Sequence, residues 1–433
     1  MPTDAPPPSH GCGEARAKQR GRGLCASAPR ISGVSSSAMC AWSSTPISPP
    51  IQPHPSTRAL SRSMQGPTTQ PAVGTQQAHD PLTAYEFRIG VAWLNLGGPA
   101  TPAALPGFLR SMLSDPSIVN APAPVRWGIS RWAAAFRAPR VANHYRLIGG
   151  ASPLFSETAR QLAVLEQELG PRFSVAAAFR HSPPRAEQAL AQLASSGCER
   201  VVAFPAYPQH SRGTTDSALR DLRAAAQALG IELATCPSFP ADSLFIDALA
   251  AGIETCLLRA AGERPHLLFS SHGLPLSALR RGDPYGAQVE RTAAALASRF
   301  PGLPSSLAFQ SRLGPMRWMR PYLTEELARL ADAGVSSVIV APIAFVCENF
   351  ETLYELDQEI AALAADLGIS TFLRAPAPGT HPAFIACAAN AVRRAAHDAG
   401  WGDAQELQPT PRNNAQDASH IAAHGAALGS RPA

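Results

Sequence analysis

Two stretches of this chain repeat one another. Leu193 to Tyr207, LASSGCERVVAFPAY, aligns without a gap on Leu330 to Ala344, LADAGVSSVIVAPIA, sharing the leading Leu-Ala, the glycine, a valine and the proline. Each reads as a helix, a glycine cap, a buried strand and a proline turn. Continuous β-branched runs of this kind are buried on both faces, so they belong to parallel sheets covered by helices. A unit used twice predicts two similar α/β halves whose strand ends surround one cleft.

The other strands fall into the same frame. Ile89–Leu94, Phe173–Phe179, Arg200–Phe204 and Ile231–Cys236 read as strands of the first half. His266–Phe269, Ala308–Gln310, the run from Val338 and Ser370–Arg374 read as those of the second, with helices over 185–196 and about 381–399. The expected fold is α/β: two similar Rossmann-like domains, 86–245 and 246–402, each a parallel sheet flanked by helices.

The chain ends differ in texture. Of 433 residues 42 are proline, and a large share lies before residue 85 among Ser, Gly, Gln and Thr. There the acids are Asp4, Glu14 and Asp80, beside Arg16, Arg20, Arg22, Arg30, Arg58 and Arg62. That composition resembles an organelle transit peptide, and equally an upstream start read into non-coding sequence, with Met39 or Met64 as the real start. The amphipathic apolar face of a transit helix is missing, so residues 1–85 are expected to be a disordered or mis-started extension, and organelle import is the less favoured reading. Residues 403–433 are expected to be a disordered tail.

Several function classes drop out. The net charge is +5, Lys18 is the only lysine, and no basic cluster is interleaved with aromatics, so no nucleic-acid partner is expected. Asn95, Gly97, Gly98 and Pro99 make a sharp turn after the first strand, but the GxGxxG and GxxxxGK patterns are absent. The eight cysteines form no CxxC pair, which indicates neither a disulfide framework nor a zinc site and fits a reducing compartment. No apolar run approaches the ~20 residues needed to span a bilayer.

Chemistry gathers in the second half. After the strand from Val338, helical periodicity at 100° per residue places Glu348, Glu351, Glu355 and Glu359 at roughly 60°, 0°, 40° and 80°, one face of a helix. No Lys or Arg lies between Arg329 and Arg374, so nothing local is expected to neutralise this ladder. A solvated acidic face is the plain alternative. Following a strand end, the ladder also suits a cation path or a general base.

His272, in SSHGLP at the mouth of another strand, faces the equivalent position. Near its reference pKa of about 6.5 it can take a proton at neutral pH, and as neutral imidazole it can ligate ferrous iron. Arg137, Arg140 and Arg146, with Tyr145 and Ser152, form a cluster suited to ligand carboxylates, because Arg forks onto them bidentately.

Taken in order, NLGGP, Tyr145 with IGGASPL, PAYPQHS, SSHGLP, GDPY, FQSRLGPMRW and IAFVCENFETLYELD resemble the ferrochelatases, over roughly Arg88 to Arg394. The resemblance implies a class II chelatase fold and insertion of ferrous iron into protoporphyrin IX, with release of two protons, as the final step of haem synthesis. Coproporphyrin III as substrate, and a non-catalytic porphyrin- or haem-binding protein, are the alternatives.

Carried over residue by residue, the resemblance makes His272 and Glu351 the catalytic and iron-holding pair. Glu348, Glu355 and Glu359 become the proton or metal path, and Asn95, Leu96, Arg137, Tyr145, Ser152, Trp318 and Phe345 the porphyrin contacts. Iron is then a substrate, with no permanently bound cofactor. Cys347 and Cys387 are too few for a C-terminal iron–sulfur cluster. Where many members carry Asp-His, this chain has Glu348 and Asn349. The partners implied are porphyrin and ferrous iron, in a cytoplasmic monomer or homodimer, with peripheral contact at the inner membrane left open.

Overall fold

The computed structural model describes residues 88–402 except 261 and 312–315. The disorder expected at both ends, and the starts at Met39 and Met64, lie outside the described residues.

Among the described residues, eight strands form two four-stranded parallel sheets of the same order. In the first, β1 (Arg88–Asn95), β2 (Phe173–Phe179), β3 (Cys198–Pro205) and β4 (Glu232–Thr235) are arranged β2-β1-β3-β4. In the second, β5 (His266–His272), β6 (Ser305–Gln310), β7 (Ser337–Pro342) and β8 (Thr371–Arg374) are arranged β6-β5-β7-β8. The two repeated stretches supply β3 and β7, which hold the same place in their sheets. In β7 all six residues are buried, as a strand covered on both faces requires.

Helices α1 (Leu105–Ser114), α2 (Ala123–Trp132) and α3 (Ala138–Leu147) lie between β1 and β2 in sequence, with a π-helical turn at Ala133–Arg137. Leu105, Leu109, Ala138 and Tyr145 hold this insertion together. Around the first sheet run α4 (Leu154–Leu169), α5 (Ala186–Ser195) and α6 (Ser217–Leu229), and α7 (Ser243–Arg259) leads to the second. There follow α8 (Leu276–Arg280), α9 (Tyr285–Ala297), α10 (Leu323–Asp332), a π-helical segment at Glu351–Ile360, α11 (Ala361–Asp366) and α12 (Pro382–Asp398).

The expected division at 245/246 falls inside the first turn of α7. One apolar cluster also runs through both halves. Trp93 of β1 stacks on Phe204 of β3 at 4.6 Å, Phe204 on Phe239 at 5.5 Å, and Phe384 of α12 meets Trp93 edge-on at 6.1 Å. The C-terminal helix thus closes the core of the first sheet, and the halves share the burial that stabilises them.

Polar contacts fix the same junction. Gln209, in the PAYPQHS turn after β3, donates through Nε2 to Thr292 Oγ1 of α9 at 2.9 Å and to the Ile343 carbonyl at 3.1 Å. Buried Asp283 accepts from Ser211 Oγ and the Arg212 N–H at 3.2 and 2.9 Å. Gln161 of α4 donates to the Val346 and Gly379 carbonyls at 2.9 and 3.0 Å. These bonds tie α4 and the β3 turn to the loop that precedes the acidic segment, and the β3 turn also to α9 and to the connection before it.

Candidate active site

His272 ends β5, where the parallel ladder pairs it with Gln310, the last residue of β6. The Gly273 N–H donates to the Gln310 carbonyl at 2.9 Å and closes the sheet there. Trp318 stands edge-on to the imidazole, with ring centroids 6.4 Å apart at 80°. The ring is partly accessible but enclosed by protein, and loss of hydration lowers its pKa to about 4. The expectation of a histidine near 6.5 is corrected: burial lowers the basicity of His272 and favours the neutral ring.

The acidic segment is not an α-helix. Glu351–Ile360 is π-helical, with i→i+5 hydrogen bonds, a geometry that is rare overall and frequent at functional sites. Because a π turn holds more residues than an α turn, residues four apart fall just short of a full turn. Glu351, Glu355 and Glu359 therefore still share a face, with Glu359 exposed at its outer end.

Glu348 leaves the ladder. It precedes the π segment, and its Oε1 binds Arg374 Nη1 at 2.9 Å and the Ala377 N–H at 3.0 Å, while Oε2 accepts from Thr352 Oγ1 at 2.5 Å. Arg374 of β8 also forks onto Asp357 at 2.6 and 2.9 Å. The acids thus divide into two sets: nothing local neutralises the ladder, as expected, but Arg374 reaches Glu348 and Asp357 from a different strand. Asn349 has a local reason: its Oδ1 accepts from the Thr352 N–H at 2.9 Å while its own N–H donates to Thr352 Oγ1 at 3.0 Å. This reciprocal cap starts the helix that carries Glu351.

Desolvation, reinforced by the neighbouring Glu355 charge, raises the Glu351 pKa to about 7. Burial raises Glu355 too, opposed by hydrogen bonds from Ser311 and Gln310 and reinforced by Glu359. Gln310 Nε2 donates to Glu355 Oε2 at 3.1 Å, Ser311 Oγ donates to the same oxygen, and Ser270 Oγ donates to Gln310 Oε1 at 2.6 Å. Through Gln310, the strand partner of His272 is bonded to the second carboxylate of the line.

The expected porphyrin contacts separate into groups. Tyr145 is buried against Phe350 at 4.7 Å, and burial together with the Glu351 charge raises its pKa. His144 stacks on Tyr354 at 4.3 Å and 12°, so α3 lies against the π segment. Asn95 ends β1 and Leu96 follows it, with the Asn95 side chain accepting from the Leu96 N–H at 2.8 Å. Ser152 is buried against Gly98, where a Cβ would lie 2.4 Å from its hydroxyl oxygen. Phe345 is half-buried in the turn after β7.

Arg137, Arg140 and Arg146 are exposed, so the cluster expected around Tyr145 is divided between solvent and interior. Around them Trp127, Trp132, Phe136 and Leu147 are 58–70% exposed, with Arg131 stacked over Trp127 at 4.8 Å.

Sequence reasoning did not pick out Phe350, Tyr354, His144, Gln310, Ser311 or Arg374. Nor did it assign a role to His181, which follows β2, is 5% exposed and has its Nδ1 3.2 Å from Ser111 Oγ. Burial and the adjacent Arg180 charge lower its pKa to about 4. Gln310 and Ser311 carried a signal as part of FQSRLGPMRW, and Phe350 and Tyr354 as part of IAFVCENFETLYELD.

Two parallel sheets flanked by helices, with a histidine at the end of β5 and a buried-to-exposed line of carboxylates after β7, place the chain in the α/β class with its ionisable groups gathered beyond the strand ends. The family match is specific. The ferrochelatase profile matches residues 88–396, and the chain belongs to the ferrochelatase family, which catalyses metal insertion into porphyrin. A ferrochelatase of Hyphomonas neptunium is 40% identical over 309 residues, 69% of this chain and 85% of that protein. One of Aquifex aeolicus is 35% identical over 307 residues, 70% of this chain and 98% of that protein. Among solved structures, SirB from Bacillus subtilis with Fe3+ aligns at 13% identity with a TM-score of 0.48, over 73% of this chain and 99% of that one.

Proposed function

We propose that this ferrochelatase inserts ferrous iron into protoporphyrin IX, with His272 holding the cation at the macrocycle and Glu351 receiving pyrrole protons. Metallation replaces two N–H protons by one Fe2+, so a site must deliver a divalent cation and remove two protons at one centre. The observation that carries the assignment is the placement of His272 at the end of β5 and of Glu351 at the inner end of the carboxylate line, where desolvation lowers the basicity of the imidazole and raises that of the carboxylate. A neutral imidazole suits ferrous iron, and a carboxylate poised near 7 suits proton acceptance. Glu355 and exposed Glu359 continue the line outward as a path for protons or incoming iron.

Asn95, Leu96, Tyr145, Ser152, Trp318 and Phe345 are assigned to the macrocycle and Arg137 to a propionate. Iron is read as substrate and no iron–sulfur cluster is assigned. The test is anaerobic, spectrophotometric iron insertion into protoporphyrin IX and coproporphyrin III. Faster turnover of protoporphyrin supports the assignment; faster turnover of coproporphyrin replaces the substrate. Tight porphyrin binding with no metal-dependent spectral change overturns catalysis.

The exposed surface of α2 and α3 supports a peripheral membrane contact from the cytoplasmic side. Tryptophans and a phenylalanine interspersed with Arg126, Arg131 and Arg137 match an anionic interface, where aromatic rings insert at headgroup depth and guanidinium groups meet phosphates. No helix among the described residues is long and apolar enough to cross a bilayer. The double change Trp127→Ser, Trp132→Ser is expected to lower partitioning onto phosphatidylglycerol-containing vesicles about tenfold in sedimentation; unchanged partitioning overturns the contact.

A further inference from the structure

Both donors that reach Glu355 converge on one of its oxygens. Gln310 Nε2 lies 3.1 Å from Oε2 and Ser311 Oγ donates to the same atom. Among the described residues Oε1 accepts no hydrogen bond. An amide can present either its oxygen or its nitrogen, and what settles Gln310 is Glu355: an ionised carboxylate only accepts, so the NH2 group faces it, and Oε1 is left to accept from fully buried Ser270 at 2.6 Å. Gln310 itself is 5% exposed, so this polarity is fixed inside the protein.

Ser311 adds a conformational signature. Its φ of +59° is the only positive value at a non-glycine among the described residues. A side chain in the left-handed region strains the backbone. Glycine takes that conformation freely, so a serine there is better explained by its hydroxyl than by the turn.

We infer that Ser270, Gln310 and Ser311 are positioning residues that clamp Glu355 through Oε2 and present Oε1 as an open, single-oxygen station for the incoming cation. Serine–amide–carboxylate order runs from the interior of β5, across the end of β6, to the acidic face. Because Gln310 is the ladder partner of His272, the station is held in fixed relation to the strand end that carries the imidazole. The inference rests on the reading of Glu355 as part of the iron path, and it assigns that path a fixed ligand atom and the residues that fix it.

The experiment measures anaerobic iron insertion with Fe2+ and porphyrin varied separately, together with thermal unfolding. Ser311→Gly removes the hydroxyl and relieves the backbone, so the fold is expected to keep or gain stability. The KM for Fe2+ is nevertheless expected to rise about five- to tenfold with the porphyrin KM unchanged. Ser270→Ala, which removes the hydrogen bond that anchors Gln310 Oε1, is expected to raise the Fe2+ KM about threefold, and Ser270→Thr to restore it. Glu355→Gln separates the two layers. If it leaves the Fe2+ KM unchanged, the path reading fails and the inference with it. If it raises the Fe2+ KM while Ser311→Gly and Ser270→Ala do not, the path stands and the clamp is overturned. A rise in both KM values for Ser311→Gly also overturns the clamp.

Discussion

Replacing His272 with alanine is expected to slow anaerobic iron insertion by about 10²- to 10⁴-fold while porphyrin still binds. The residue ends β5, holds no structural hydrogen bond among those that tie the halves together, and meets Trp318 only edge-on, so the loss falls on chemistry rather than on the fold. Its burial fixes the form in which it acts. The folded pKa of about 4 lies below the ordinary value of 6.5, so the neutral ring is favoured by folding. That contribution to stability is present above pH 6.5 and is lost as pH falls through about 4. A ¹⁵N NMR titration should therefore find neutral imidazole down to pH 5. Added imidazole should recover part of the His272→Ala activity. Turnover within threefold of the wild type, or an imidazole titrating near 6.5, would remove His272 from the iron-holding role.

The fold was legible because its strands are covered on both faces. Such strands announce themselves as unbroken apolar runs, and β3 and β7 do so twice in aligned form. The observed β2 has the bounds read from sequence, and α12 differs by about a residue at each end. His272 and Glu351 could be singled out because each follows a strand end. What escaped depends on long-range partners. Glu348 has the right spacing for the ladder, and only the guanidinium of Arg374, on another strand, shows that it serves a different network. The π geometry escaped for a related reason: α and π turns both keep residues four apart on one face, so charge spacing does not distinguish them. The lowered basicity of His272 comes from enclosure by the rest of the chain, which no local pattern encodes. The same holds for the His144–Tyr354 stack, whose two members come from different halves.

Glu351→Gln should lose activity and gain stability, with the gain confined to one side of a pH window. The carboxyl's ordinary pKa is 4.5 and the folded value is about 7, raised by burial and by the adjacent Glu355 charge. Stability from the protonated form is fully present below about 4.5 and is lost as pH rises through about 7, because folding then requires a desolvated anion beside another. Glutamine keeps the shape and cannot ionise. At pH 8 the variant should thus be more stable by about 1–3 kcal/mol in denaturant unfolding, and at pH 4 it should match the wild type. The functional consequence has the opposite sign. If deprotonated Glu351 accepts pyrrole protons, kcat/KM in the wild type should rise with pH up to a plateau beyond about 7. The glutamine variant should fall by about 10²-fold or more and lose that limb. A variant destabilised at pH 8, or one that keeps the limb near 7, would show that the proton is taken elsewhere. Increased stability with no loss of turnover would mark Glu351 as a buried charge without a part in the reaction.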